Sequence, residues 1–304
     1  MESIRNICTM IFMQVMVWHC KLSYKLRAST VRQHASFANY AYGTQSPEQK
    51  MDIYLPVNKG EVNVILLIHG GNWIMGDKAD YTDLCTHVRE KGLCCVTINY
   101  RMLKPLVASA RQPVNYSDML DDIGSAIAGL KIKLTAEGYA PRKIALFGSS
   151  AGGHLALLYA YSRYSQSAIP IAFLTAECAP TDFTDRTGFN KHSQAEVLWQ
   201  LSLLAGQAIS DHEVLNKVLV LQDMSPFYHM KAGVPPTLMC HGVRDELVPF
   251  SQATNLKKVL GLAGVRNDLF EYLHSGHGQV HSADKAIKDA YYAKFQEYID
   301  TYFS

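Results

Sequence analysis

The amino-acid sequence predicts an α/β fold in which a mostly parallel β-sheet is covered by helices on both faces. Short apolar segments rich in β-branched residues alternate with longer segments of helical periodicity, as expected for parallel strands joined by crossover helices. The segment 62–68 is apolar enough to be a strand buried on both faces. The predicted strands are 51–55, 62–68, 93–98, 143–147, 171–176, 237–241 and 268–273, and the predicted helices are 81–90, 118–136, 151–164, 252–262 and 283–302.

The composition is that of an ordinary globular protein. The 304 residues are 48% hydrophobic and 18% charged, with a net charge of only +2. This balance predicts no nucleic-acid partner. The seven cysteines are an odd number and show no zinc-ligand spacing, so we expect buried free thiols, no metal and no cofactor. Free thiols favour the cytoplasm over export.

Two segments stand apart from the predicted α/β domain at 31–304. Residues 1–30 form an N-terminal extension whose apolar run at 7–18 is too short for a stable membrane span. It is either a signal-peptide core, a helix packed on the body, or sequence upstream of the true start. Residues 180–234 are an insertion between two strands, either a cap over an active site or a surface excursion. The sequence does not specify the oligomeric state.

A candidate nucleophile lies where a predicted strand gives way to a helix. Ser150 is the centre of a Gly-Ser-Ser-Ala-Gly segment at 148–152. A serine nucleophile needs a sharp strand-to-helix turn, and glycines two residues to either side make room for it. The pentapeptide alone is a weak signal, but its position between strand and helix is more specific.

A glycine-rich segment follows the strongest predicted strand. His69-Gly70-Gly71-Asn72-Trp73 comes directly after it. Acyl transfer needs backbone N–H donors aimed at the oxyanion, and a glycine-rich loop past a strand can supply them. A simple turn is the alternative, but the serine motif downstream favours the oxyanion loop.

The candidate acid and base follow in chain order. Asp245 lies just past the predicted strand 237–241, with Glu246 as the alternative. His277, between Gly276 and Gly278, follows the last predicted strand. The order Ser150, Asp245, His277 is that of a serine hydrolase triad; the alternative bases are His274 and His281.

Together these segments resemble the carboxylesterase/lipase branch of the α/β-hydrolases, in particular the small acetyl- and feruloyl-esterase-like enzymes. The likeness runs from about residue 40 to the C-terminus. It rests on the segments at 49–56, 69–73, 76–78, 99–101, 148–155, 241–249 and 276–278. Asn72 stands where many relatives have a third glycine, and 102–106 lacks their Pro-Glu segment.

The resemblance implies an α/β-hydrolase fold and a catalytic triad of Ser150, Asp245 and His277. It also implies oxyanion donors at the backbone amides of Gly71, Asn72 and Ala151, and we expect Trp73 to line the substrate pocket. The expected activity is hydrolysis of small-molecule, short-chain acyl esters of the acetyl type. An amide hydrolase and a silent ligand-binding protein are the alternatives.

Overall fold

A computed structural model describes residues 34–104, 114–185, 194–209 and 214–304. Within them the chain forms one eight-stranded sheet in the order β1-β2-β4-β3-β5-β6-β7-β8. Strand β2 pairs antiparallel with β1 on one side and with β4 on the other, and all the other neighbouring strands of the sheet are parallel. The strands are β1 Phe37–Ala41, β2 Lys50–Tyr54, β3 Gly60–Ile68, β4 Cys94–Asn99, β5 Tyr139–Ser149, β6 Ile171–Glu177, β7 Thr237–Gly242 and β8 Asn267–Tyr272.

Helices cover both faces of this sheet, as predicted. One face packs against α2, α3 and α7 through a large apolar cluster, and the other against α1 and α8 through a smaller, aromatic one. Helix α3 is buried along nearly its whole length, which explains its lack of a polar face. The described helices are α1 Thr82–Glu90, α2 Tyr116–Ala136, α3 Ala151–Ser162, α4 Gln194–Ala205, α5 Val214–Met224, α6 Pro226–His229, α7 Ser251–Leu262 and α8 Lys285–Tyr302.

The predicted fold class is confirmed, and the predicted strands and helices match the observed ones with shifted ends. The largest shift is in β5, which begins at Tyr139 because its first residues pair with the start of β3. Strand β1 was not predicted. It is short, lies at the sheet edge and exposes three of its five residues, so no hydrophobic alternation marks it.

Helices α4, α5 and α6 lie between β6 and β7, within the insertion predicted at 180–234. The N-terminal extension predicted at 1–30 lies outside the described residues. Over the part of the chain that is described, no helix combines the length and apolarity needed to cross a bilayer.

The parallel strands bring the predicted site residues to one edge of the sheet. Ile68 at the end of β3 is paired with Gly148 near the end of β5. Gly242 at the end of β7 is paired with Tyr272 at the end of β8. The loops that leave these four strands therefore meet at the carboxyl edge, where open α/β sheets hold their ligands.

Candidate active site

Ser150 forms a sharp turn between β5 and α3. Its backbone has φ 53° and ψ −121°, a conformation that costs energy for a residue with a side chain. A methyl group on Gly148 would lie 2.2 Å from the Gly152 carbonyl oxygen, and one on Gly152 would lie 2.0 Å from that of Ile68. Only glycine fits at both positions, so the motif has a steric cause.

The three predicted triad side chains form one hydrogen-bonded chain. Nε2 of His277 lies 2.9 Å from Oγ of Ser150. Nδ1 of the same ring lies 2.7 Å from Oδ2 of Asp245, which accepts its hydrogen and leaves Nε2 to accept from the serine hydroxyl. The structure brings the three residues together, and their catalytic roles remain predictions.

The alternative residues lie elsewhere. The rings of His274 and His281 lie 6.0 Å apart. Nδ1 of His274 contacts Arg244, and Nδ1 of His281 accepts from the N–H of Ala283. The side chain of Glu246 is exposed, whereas that of Asp245 is buried. The geometry therefore favours Asp245 as the acid over Glu246, and His277 as the base over the other two histidines.

Asp245 is held ionised by its neighbours. Its Oδ1 accepts the N–H groups of Leu247 and Val248, each at 2.9 Å. Its Oδ2 lies 3.2 Å from Nε2 of a second imidazole, that of His241. Burial opposes the negative charge, but the hydrogen bonds from His241, His277 and Val248 outweigh it and hold the pKa of Asp245 well below its usual range.

The predicted oxyanion loop has an unusual backbone. Gly71, Asn72 and Trp73 all have positive φ, at 107°, 53° and 60°. The Gly71 carbonyl accepts the N–H groups of Ile74 and Met75, which closes the turn. Three consecutive residues in this region are rare unless the surroundings impose them.

This loop lies against the nucleophile. A methyl group on Gly70 would lie 3.3 Å from Cβ of Ser150 and 2.8 Å from the Ser149 carbonyl oxygen. Ala151 is the first residue of α3, so its N–H has no partner one turn earlier in the helix. The arrangement is suited to a shared anion site formed by the loop and the helix N-terminus.

Buried polar groups hold the loop from below. The His69 ring stacks on Tyr100 at 4.5 Å, and its Nδ1 lies 2.8 Å from the Gly70 carbonyl oxygen. After the loop, Nζ of Lys78 pairs with Oδ2 of Asp52 at 2.7 Å, with both side chains buried. A buried pair of this kind fixes geometry more than it adds net stability.

A small cleft lies beside the loop. Trp73 lines it, as does Trp199, which comes from α4 of the insertion. Most of its lining is apolar. The lining residues are Asn72, Trp73, Ile74, Leu103, Trp199, Gln200 and Leu203.

Among the described residues, one group of side chains has donor atoms close enough to hold a metal ion. Its members are Cys178, Asp245 and His277, whose donor atoms all lie within 4.8 Å of one another. Two of the three are already bound to each other, and burial raises the pKa of the Cys178 thiol to about 11. Because metals bind the thiolate, this thiol is a poor ligand near neutral pH. The expectation of no metal stays a prediction.

Sequence reasoning assigned no role to three buried residues at this site. His241 contacts the triad carboxylate, Cys178 lies beside it, and His154 on α3 contacts Trp73. A signal existed only for His241, which lies four residues before Asp245 at the end of a predicted strand. The other two depend on contacts between distant parts of the chain.

Together the mostly parallel sheet, the serine turn and the loops at its carboxyl edge are those of an α/β-hydrolase. A solved structure supports this class. A truncated form of a carbohydrate esterase from gut microbiota has a TM-score of 0.69 at 20% identity, over 86% of this chain and 95% of that one.

The chain belongs to the BD-FAE family, whose family model matches residues 51–260. It is 31% identical over 230 residues to the probable carboxylic ester hydrolase LipM of Mycobacterium tuberculosis (strain ATCC 25618 / H37Rv), covering 73% of this chain and 51% of LipM. It is 26% identical to a probable isoprenylcysteine alpha-carbonyl methylesterase of Oryza sativa subsp. japonica, covering 80% of this chain and 58% of that protein. The chain thus spans little more than half the length of these curated relatives.

Proposed function

We propose that this protein is a serine carboxylesterase that hydrolyses short-chain acyl esters of the acetyl type through an acyl-enzyme intermediate. The observation that carries the proposal is the hydrogen-bonded chain from Ser150 through His277 to Asp245. The ester hydrolases named among the relatives support the same reaction class.

In the first half of the proposed reaction, Oγ of Ser150 attacks the ester carbonyl carbon while its proton moves to Nε2 of His277. The carbonyl π electrons move to oxygen, and the N–H groups of Gly71, Asn72 and Ala151 donate to that oxyanion. Asp245 stabilises the imidazolium and stays ionised. When the C–O bond to the alcohol breaks, Nε2 delivers its proton to the departing oxygen.

In the second half, water attacks the acyl-enzyme and gives its proton to Nε2 of His277. The same amides hold the second oxyanion. The bond to Oγ of Ser150 then breaks, Oγ recovers the proton, and the carboxylic acid leaves. Nε2 of His277 accepts and then donates the proton in both halves of the proposed reaction.

The lining of the cleft supports a short acyl group, because two bulky side chains, Trp73 and Trp199, border its mostly apolar space. Trp73 belongs to the oxyanion loop itself and also lines the cleft. An acyl group in this cleft would therefore lie next to the carbonyl that the loop binds.

The test is turnover of p-nitrophenyl acetate, butyrate and octanoate by wild type, Ser150→Ala and Ser149→Ala. We expect kcat/KM to fall steeply from acetate to octanoate. Ser150→Ala should lower kcat by at least ~10⁴-fold, as removal of a triad nucleophile does. Ser149→Ala makes the same chemical change one residue earlier and should leave turnover near wild type.

Turnover by Ser150→Ala close to wild type would refute the proposed nucleophile. A folded wild type that ignores esters but cleaves formyl amides would replace the esterase with an amide hydrolase on the same triad. A preference for octanoate would refute the short-chain assignment alone.

A further inference from the structure

A buried histidine connects the proposed oxyanion loop to the insertion between β6 and β7. His154 lies on α3, and its backbone N–H donates to the Ser150 carbonyl oxygen at 2.9 Å. Its side chain is fully buried. Nδ1 lies 3.2 Å from Nε1 of Trp73, and Nε2 lies 2.8 Å from the Met224 carbonyl oxygen.

The two partners allow only one state of the imidazole. The Met224 carbonyl can only accept, so Nε2 of His154 must carry the hydrogen. The indole N–H of Trp73 can only donate, so Nδ1 must be the bare acceptor. Burial lowers the pKa of His154 to about 4, which keeps the ring neutral near pH 7. The ring is therefore not a proton carrier but a fixed link between two segments.

Aromatic packing holds the ring in place. The Trp73 indole meets the His154 ring edge-on at 5.3 Å, and the Phe183 ring lies 5.1 Å from His154 and 6.0 Å from Trp73. Phe183 is also buried, and its N–H is bound by Ser225, the residue after Met224. The three rings thus join the loop, α3 and the end of α5.

The position of Trp73 matters because its backbone is part of the loop. Trp73 has φ 60° and follows Asn72, which also has positive φ. Such a conformation persists only where the surroundings hold it. The indole bond to His154 and the Trp73 carbonyl bond to the N–H of Leu103, at 2.9 Å, hold it from both sides.

We propose that His154 is a positioning residue that couples the oxyanion loop to the α5–α6 part of the insertion. Through this coupling, the position of the Met224 backbone determines how the loop N–H groups are aligned. This inference rests on the proposed function of the loop. The coupling acts through Trp73, and His154 itself does not touch the reacting atoms.

Two substitutions separate the two ends of this link. The short amide in His154→Asn occupies the place of Nδ1 and can still accept from the indole, but it does not reach Met224. The longer amide in His154→Gln reaches the Met224 carbonyl but leaves the indole N–H of Trp73 without its acceptor. His229→Gln is the matched control, because the His229 ring also contacts a backbone carbonyl of the insertion, that of Asp223 at 2.7 Å, but not the Trp73 indole.

Each variant is assayed in two ways. The first is kcat and KM for p-nitrophenyl acetate. The second is the hydrogen-exchange rate of the Trp73 indole N–H by NMR, assigned with Trp73→Phe. We expect His154→Gln to lower kcat by ~100-fold, the scale of losing one oxyanion donor, with little change in KM. Its indole proton should exchange fast. His154→Asn should keep a slowly exchanging indole proton and lose less of kcat, and His229→Gln should match wild type.

The proposal is overturned if His154→Gln keeps kcat within about twofold of wild type, or if its kcat falls while the indole proton stays protected. It is also overturned if His154→Asn, which cuts the bond to Met224, matches wild type in kcat. A wild type without ester turnover would instead contradict the proposed function. In that case the rate of fluorophosphonate labelling of Ser150, which uses the same amides, replaces kcat in the same comparison and decides the inference.

Discussion

Nε2 of His241 lies 3.2 Å from Oδ2 of Asp245, so a second imidazole besides His277 contacts the triad carboxylate. The same nitrogen lies 2.9 Å from the Val248 carbonyl oxygen, which can only accept, so Nε2 carries a hydrogen. His241 is therefore a donor to Asp245 from inside the protein. His241 is the second-last residue of β7, four residues before Asp245, and the turn of the loop brings the two together.

Replacing His241 should make the Asp245 carboxylate easier to protonate and should lower the activity. In His241→Phe, Asp245 loses one of the hydrogen bonds that lower its pKa, so its pKa should rise and the carboxylate should protonate at a higher pH. We expect kcat to fall by ~10-fold and the acidic limb of the kcat/KM profile to move to higher pH. His241→Gln keeps a hydrogen-bond donor, so its kcat and its pH profile should lie between those of wild type and those of His241→Phe. A pH profile of His241→Phe that superimposes on wild type would show that the contact has no catalytic effect.

Gly152, two residues after the proposed nucleophile, should tolerate no side chain. A methyl group on Gly152 would overlap the backbone of β3, 2.0 Å from the Ile68 carbonyl oxygen. Gly152→Ala should therefore lower the free energy of unfolding in urea by about 3 kcal/mol or more.

Gly261 in α7 provides the control, because a methyl group there meets nothing within 4 Å. Gly261→Ala should raise the free energy of unfolding by about 0.5 kcal/mol through helix propensity. Equal effects of the two substitutions would refute the steric account of the motif.

Trp199 should set the upper limit of the acyl chain. It lines the cleft from α4, together with the loop residues Asn72 and Trp73. Trp199→Ala should raise the ratio of octanoate to acetate kcat/KM by ~10-fold or more, since each buried methylene changes binding by about 1–3 kcal/mol. Leu219→Ala removes another exposed apolar side chain of the insertion, one that does not line the cleft, and should leave the ratio unchanged. Equal ratios in the two variants would place the acyl group elsewhere.

Acid should destabilise the fold partly through His154. The folded pKa of about 4 lies below the ordinary value of 6.5, so between these values the unfolded chain binds a proton that the folded chain does not. The free energy of unfolding therefore falls as pH drops from 6.5 towards 4, by on the order of 3 kcal/mol for a shift of about 2.5 units. His69 contributes with the same sign, because burial lowers its pKa too.

Urea unfolding of wild type and His154→Asn at pH 6.5 and 4.5 measures this contribution. Wild type should lose more stability between the two pH values than the variant does. Equal losses would mean that His154 is not buried in the neutral form.

Local patterns in the sequence predicted the fold class and the candidate triad because both have short-range causes. The Gly148–Gly152 motif reflects a steric requirement of one turn, and the buried strands are apolar in themselves. The partners of His154 could not be predicted, since Trp73 lies 81 residues before it and Met224 lies 70 after it. Strand β1 was not predicted from the sequence because an edge strand needs no hydrophobic pattern.

The most direct test of the account is to label the folded wild-type protein with a fluorophosphonate and map the modified peptide by mass spectrometry. In this reaction Oγ of the nucleophile bonds to phosphorus, the P–F bond breaks, fluoride leaves, and the hydroxyl proton moves to His277. The account predicts one label, on Ser150, that forms rapidly in wild type and far more slowly in His277→Ala. A label on another residue, or equally fast labelling of Ser150 without His277, would contradict it.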